Sequence, residues 1–131
     1  MVKKIIALFF ASLVPVFTFG CATSVGVTEK TYRKNGVTGV SVSYKKLNER
    51  KSYTIVVGEG ERTAVEIEIV SKSGNLSLTI GRIGYAADYS GHDLETGSFT
   101  VYLNEAGTYD MIFLAKDHEG SFKAEYYVSQ E

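Results

Sequence analysis

Two histidines, each beside acidic residues, are the side chains of this sequence best suited to acid–base chemistry. His92 lies in "SGHDLE" and His118 in "KDHEGS", and an imidazole paired with a carboxylate can act as an acid–base dyad. No plausible nucleophile, Ser90 included, accompanies them, and the sequence lacks H-E-x-x-H, Walker and Cys–His zinc motifs. We therefore expect both histidines to be solvated loop residues and the protein not to be an enzyme, with a small hydrolase as the less favoured alternative.

The longest irregular stretch, residues 84–97, contains the other polar candidates. Asp88, Asp93 and Glu95 could direct carboxylate oxygens at one Ca²⁺, an ion that takes about six to eight oxygen ligands. Their spacing is not that of an EF-hand, and Asp93 could instead accept backbone amides in a local turn. Apart from this calcium hypothesis, the sequence indicates no metal or dissociable cofactor.

Two tyrosines belong to the same stretch. Tyrosines presented at the end of a β-sandwich can stack on sugar rings or anchor a protein partner. The chain has no Trp, a residue that carbohydrate platforms commonly use, and half-buried loop packing is the alternative role. The candidate binding loop comprises six residues: Tyr85, Asp88, Tyr89, His92, Asp93 and Glu95.

The elements that must position these residues are strands. Apolar and polar residues alternate with a period of two in segment after segment, as in "AVEIEIVS", where Glu66 and Glu68 face away from the apolar side. No segment shows sustained helical periodicity. About eight strands are predicted, at 28–34, 37–44, 52–57, 64–71, 75–80, 98–103, 108–115 and 121–128. Their spacing is typical of an all-β, antiparallel β-sandwich, jelly-roll or immunoglobulin-like, in a single domain spanning 28–131.

Turn residues separate the predicted strands. Asn35-Gly36 favours a type I′ hairpin turn, and the segments 73–75, 105–107 and 118–120 predict further tight connections. The segment 108–115 is apolar on both faces. We therefore expect it to be a central strand.

The first twenty residues have the pattern of an export signal. Lys3 and Lys4 precede fifteen uncharged residues, from Ile5 to Phe19, and a small residue follows at Gly20. This apolar run is shorter than the roughly 20 residues of a membrane-spanning helix. We expect residues 1–20 to be a signal peptide and 21–27 a short tether, with an uncleaved anchor as the alternative.

The only cysteine follows that run directly. "FTFGCATS" resembles the lipobox of bacterial lipoproteins: Gly20 occupies the small position before Cys21, whereas Thr18 and Phe19 depart from the usual pattern. The resemblance implies a diacylglyceryl (palmitate-bearing) lipid on Cys21, which would anchor the protein to the extracytoplasmic face of the cell membrane. Ordinary signal-peptidase cleavage and soluble secretion are the alternative.

The final third of the chain carries a second resemblance. "GSFTVYLNEAGTYDMIFLAKDHEGSFKAEYYV", with its turn Gly107-Thr108-Tyr109, resembles the closing strands of jelly-roll modules such as pre-peptidase C-terminal and GOLD-like domains. Together with "SGNLSLTIG", it also resembles small sandwich lipoproteins of Gram-positive bacteria. These resemblances imply a fold and bring no catalytic residues.

Charge and composition restrict the partners. The net charge of −1 becomes about −3 without residues 1–20, because 12 basic residues then face 15 acidic ones, which does not favour nucleic acid. We expect an exported, lipid-anchored, non-catalytic binding module of the cell envelope. Its partner would be an envelope protein or a glycan. A secreted carbohydrate- or calcium-binding module is the alternative.

Overall fold

The computed structural model describes residues 23–129, and all regular structure in that part of the chain is β-strand. There are seven strands: β1 Thr28–Lys34, β2 Val37–Leu47, β3 Arg50–Val57, β4 Thr63–Arg82, β5 Ala87–Gly91, β6 Gly97–Leu103 and β7 Gly107–Val128. Across residues 23–129, no helix has the length and apolar character needed to cross a membrane. The expected signal peptide and Cys21 lie outside the described residues.

Two unusually long strands build both layers of the fold. β4 and β7 pair antiparallel from Thr63↔Val128 to Arg82↔Tyr109, with irregularities in the register between Ser71 and Asn75. At these irregularities both strands bend, so that their halves face one another. The rings of Phe113 and Phe122, from opposite halves of β7, stack with centroids 3.8 Å apart. One continuous hydrogen-bonded ladder thus folds over into a sandwich.

We name the two layers sheet A and sheet B. Sheet A has the order β1-β2-β7-β4-β6, with the second half of β7 and the first half of β4. Sheet B has the order β3-β7-β4-β5, with the opposite halves of the two long strands. Every pairing is antiparallel, which confirms the predicted antiparallel β-sandwich.

The prediction of about eight strands is wrong in detail. The segments 64–71 and 75–80 are one strand, β4, and 108–115 and 121–128 are one strand, β7. The glycines that predicted turns lie at the bends instead: a Cβ at Gly74 or Gly120 would clash with the backbone of the neighbouring long strand. Both glycines have positive φ, 79° and 145°, so they let the backbones cross closely without ending either strand.

Other turn predictions are confirmed. Asn35 and Gly36 have φ of 53° and 80° and form the two-residue connection of the β1–β2 hairpin. β6 and β7 are joined by residues 104–106, where the buried Tyr109 donates a hydrogen bond to the carbonyl of Glu105 at 2.6 Å. This tyrosine secures the connection, but Gly107, Thr108 and Tyr109, which the sequence singles out as a turn, are the first three residues of β7.

The core lies between the two sheets. The largest fully buried side chains include Tyr109, Phe113 and Phe122, all on β7. β7 pairs with β2, β3 and β4, which confirms the prediction that segment 108–115 is central. Its second apolar face is nevertheless open, because Leu114 points out of sheet B and is 55% exposed. At the end of β7, Val128 is also 43% exposed.

Polar contacts join the two sheets at one edge of the sandwich, between the edge strands β1 and β3. The Lys51 Nζ lies 2.9 Å from Glu29 Oε1, and the Tyr53 hydroxyl donates to Glu29 Oε2 at 3.0 Å. These contacts lower the pKa of Glu29, chiefly through the hydrogen bond from Lys51. Edge strand β1 of one sheet therefore contacts edge strand β3 of the other through charged and polar side chains, and charges on an edge strand also disfavour edge-to-edge association.

The sandwich has two distinct ends. At the bend end, β4 and β7 turn over, and the connections 48–49 and 92–96 lie beside them; the connections 35–36, 58–62, 83–86 and 104–106 lie at the open end. The start of the described chain is fixed at the bend end. There the Asn48 amide N–H donates to Ser24 Oγ at 2.9 Å, and Val25 pairs with Lys46. Within the predicted tether 21–27, Ser24 and Val25 are thus bound to the domain.

Candidate functional site

The predicted binding loop does not form one site. Residues 84–97 were expected to be irregular, but they contain strand β5, Ala87–Gly91. Five residues of strand span about 16 Å, so Tyr85 lies at the open end while His92, Asp93 and Glu95 lie at the bend end. The alternating "ADYSG" is too short and polar to stand out from a loop in the sequence.

The two tyrosines of this segment make packing contacts. The Tyr85 ring, 65% exposed, lies under the guanidinium of Arg82 at 3.5 Å from the ring centroid. Tyr89 is half-buried and stacks on Phe99 with centroids 5.0 Å apart, bridging β5 and β6. Of the two, only Tyr85 presents most of its surface to solvent.

The three candidate calcium ligands are all exposed. Asp88 belongs to β5, and Asp93, with φ of 54°, lies with Glu95 in the connection between β5 and β6. Within residues 23–129, no group of three or more His, Cys, Asp or Glu side chains is arranged to hold a metal ion. The connection 92–96 is instead held by the backbone of Leu94, which donates to the Leu76 carbonyl at 2.8 Å.

His118 is fully buried in β7 at the bend, which corrects its expected placement in a solvated loop. Its Nδ1 lies 2.7 Å from the Tyr44 hydroxyl and its Nε2 lies 2.7 Å from Ser71 Oγ. Ser71 donates its own hydrogen to the Leu94 carbonyl at 2.7 Å. His118 therefore donates from Nε2 to Ser71 and accepts at Nδ1 from Tyr44.

This arrangement holds the bend together and does not activate a nucleophile. A general base must accept the proton of the attacking hydroxyl, whereas His118 donates to Ser71. Burial lowers the pKa of His118, so the ring is neutral at physiological pH. The other histidine, His92, is exposed in the connection between β5 and β6, as the sequence predicted.

A groove that the sequence did not predict crosses the outer face of sheet A. We call it the sheet A groove; its volume is about 220 Å³, and strands β4, β6 and β7 form its floor. The register aligns its outward side chains in cross-strand rows. Its lining residues are Glu66, Ile67, Glu68, Ser98, Phe99, Thr100, Lys123 and Glu125.

Two acidic residues at its centre are held by tyrosines. Glu66 and Glu125 are direct cross-strand partners, a pairing that like charges disfavour. Tyr127 donates to Glu66 Oε2 at 2.6 Å. From the other side, Tyr32 donates to Glu125 Oε2, and Lys123 lies 3.8 Å from the same oxygen. These donors offset the repulsion and fix both carboxylates in place.

Tyr32 reaches the groove from β1 because β2 carries a glycine beneath it. Tyr32 pairs with Gly39 and Gly39 pairs with Glu125, so the ring spans one whole strand. A Cβ at Gly39 would overlap the Tyr32 ring. Desolvation, reinforced by Glu125, raises the pKa of Tyr32 to about 12. The hydroxyl is therefore neutral, and Tyr32, which adjoins the lining residue Glu125, stays 37% exposed.

The open-end border of the groove is aromatic as well. Tyr102 and Tyr127 are the register partners of Ala64 on its two sides, and Ala64 is only 2% exposed beneath them. The Arg62 guanidinium lies 4.1 Å from the centroid of the Tyr102 ring. The hydrogen bond to Glu66 is the main reason that the pKa of Tyr127 is raised.

Comparisons with known proteins assign no family. No protein family matches the sequence, and no curated protein matches it. The chain is similar in fold to Aeromonas hydrophila PliG, a periplasmic inhibitor of g-type lysozyme, with a TM-score of 0.49 and 16% identity over 80% of this chain and 95% of that one. TmCBM61 in complex with β-1,4-galactotriose gives 0.44 and 14% over 80% and 88% of the two chains. Likenesses at these scores carry no inference about ligand or activity.

Proposed function

We propose that the protein is an exported, lipid-anchored module of the cell envelope that binds an envelope partner, glycan or protein, without catalysis. The partner binds in the sheet A groove. This location differs from the loop that the sequence suggests, because the six loop residues are spread along β5 from one end of the sandwich to the other.

One observation carries the proposal: the groove presents side chains that are already fixed in position. Tyr127 and Tyr32 hold the carboxylates of Glu66 and Glu125. Groups that are ordered before binding lose less conformational entropy when a ligand arrives. Both tyrosine–carboxylate hydrogen bonds lie on the outer face of sheet A and not in the core. They order surface side chains that would otherwise be free to move in solvent.

The export and anchor parts of the proposal rest on the sequence. A basic start, an apolar run and Gly20-Cys21 precede the domain, and a diacylglyceryl cysteine holds a protein at a membrane stably because two acyl chains are buried. Intact-mass measurement of the protein purified from its own cells, with detergent-phase partitioning, tests this part. A diacylglyceryl adduct on an N-terminal Cys21 is expected. An unmodified Cys21, or a mature chain that begins after it, would refute the anchor.

Binding to isolated envelope fractions tests the groove. We expect the variant Tyr32→Ala/Glu125→Gln to lose binding to cell-wall polysaccharide or envelope-protein fractions. Tyr85→Ala is the matched control, because it removes an exposed tyrosine outside the groove. Loss of binding by the control alone would favour the predicted loop over the groove. Cleavage of the bound material by the wild-type protein would contradict the non-catalytic role.

A further inference from the structure

The groove offers its ligand mainly hydrogen-bond acceptors. Glu66, Glu68 and Glu125 are on its surface, and an ionised carboxylate only accepts, with about four lone-pair sites. Tyr127 and Tyr32 each occupy a site on one carboxylate, so acceptor sites remain on every one of the three. A matching ligand must therefore carry several hydrogen-bond donors close together.

The charge of the groove selects among such ligands. Three carboxylates face a single lining cation, Lys123, which gives a formal charge of −2. Lys123 is itself engaged at the edge, 3.8 Å from Glu125 and paired in register with Glu68. An acidic ligand in this small space would meet carboxylates at close range, and that repulsion is only partly screened by salt.

An exposed aromatic ring lies beside these acceptors. Tyr32 extends over Gly39, which has no side chain to lift it from the sheet. The carbon-bound hydrogens of a sugar ring can pack against such a ring face, while hydroxyls around the sugar donate to neighbouring carboxylates. Because the Tyr32 hydroxyl contacts Glu125 directly, the ring face and the carboxylate are both within reach of one small ligand.

From these features we infer that the groove binds a saccharide that carries no acidic group, either uncharged or amino-bearing. The inference rests on the proposed function and narrows its partner. A protein partner fits less well, because stable protein interfaces are large and have an apolar centre. Here the outward side chains are Glu, Lys, Ser and Thr in about 220 Å³, and the apolar Ile67 and Phe99 belong to the core side of the sheet.

A glycan array with uncharged, amino-bearing and acidic oligosaccharides provides the first measurement, with the full mature chain as the probe. For each uncharged glycan that binds, its C6-oxidised form is the matched acidic ligand, since only a primary alcohol has become a carboxylate. We expect oxidation to weaken binding about tenfold or more, as measured by calorimetry. We expect the Glu66→Gln/Glu125→Gln variant to reduce that discrimination, because the amides keep the shape and lose the charge.

The possible results distinguish a failure of the saccharide inference from a failure of the proposed binding function. Glycan binding that Tyr32→Ala abolishes and Tyr85→Ala preserves, together with discrimination against the oxidised form, supports both. Equal or stronger binding of acidic glycans overturns the inference, as does groove-dependent binding of an envelope protein without any glycan binding. Envelope binding that is insensitive to the groove variants overturns the proposed function itself.

Discussion

Acidification should weaken the fold through His118. Burial lowers the pKa of this side chain from its ordinary value of 6.5. Below pH 6.5 the unfolded chain therefore binds a proton that the native chain does not. The free energy of unfolding must fall as the pH drops through this window, until the native pKa is reached.

The size of the effect follows from a single proton. Between pH 7.5 and pH 5.5, one group with an unfolded pKa of 6.5 and a native pKa below the window contributes at most about 1.4 kcal/mol. The pKa of Glu29 is lowered from 4.5, so its contribution to the free energy of unfolding is lost at more acidic pH. Glu29 therefore does not obscure the effect of His118 between pH 7.5 and 5.5. Protonation would also oblige the Tyr44 hydroxyl to stop donating to Nδ1, which adds to the cost of charging the ring.

Urea unfolding at several pH values, followed by far-UV circular dichroism or tyrosine fluorescence, provides the assay. His118→Gln removes the titrating group and keeps an amide that can donate and accept. His92→Gln is the matched control, because His92 is exposed. We expect the wild type and His92→Gln to lose up to about 1.4 kcal/mol more between pH 7.5 and 5.5 than His118→Gln. Equal pH dependence in all three proteins would refute the reasoning.

Two further predictions concern the bend and the core. Gly120→Ala should destabilise the protein by about 3 kcal/mol or more, because the new Cβ would clash with the Val70 carbonyl. Gly36 also has positive φ but open space around it, so Gly36→Ala should destabilise the protein by only about 1 kcal/mol. Denaturant titration of both compares them, and equal losses would contradict the clash. A double-mutant cycle with Phe113→Leu and Phe122→Leu should give a coupling energy of about 0.5–1.5 kcal/mol; additive losses would mean that their stacking contributes nothing beyond burial.

The fold class could be predicted because it depends on local alternation. In "AVEIEIVS" the period of two identifies both the strand and its buried face, and Val65, Ile67 and Ile69 are indeed buried. The predicted strand ends at 73–75 and 118–120 were wrong, because β4 and β7 continue through these segments. In the sequence, a glycine at a turn looks the same as a glycine where two backbones pass closely. Only the position of the neighbouring strand, which a Cβ at Gly74 or Gly120 would meet, distinguishes a close approach from a turn.

The groove could not be predicted because its residues come together only through register. Alternation shows that Glu66 and Glu125 point outward, but it does not show that they are cross-strand partners. Tyr32 is 93 residues from Glu125 in sequence, and its role depends on the glycine that lies between them. A sequence signal does exist in retrospect: Gly39 interrupts an otherwise side-chain-rich strand, as glycines do where another group approaches closely.

The central position of β7 has a consequence for how the protein is made. β7 follows the other six strands in chain order, so a nascent chain has no strand to join β2 to β4 until residues 107–128 emerge. The ladder between β4 and β7 joins residues 27 positions apart at Arg82↔Tyr109 and 65 apart at Thr63↔Val128, and such non-local pairing is slow. The core therefore closes only after synthesis of this region is complete. For a chain proposed to be exported, this order would leave the strands unassembled, and so able to thread through a translocation channel, while residues 107–128 are still being made.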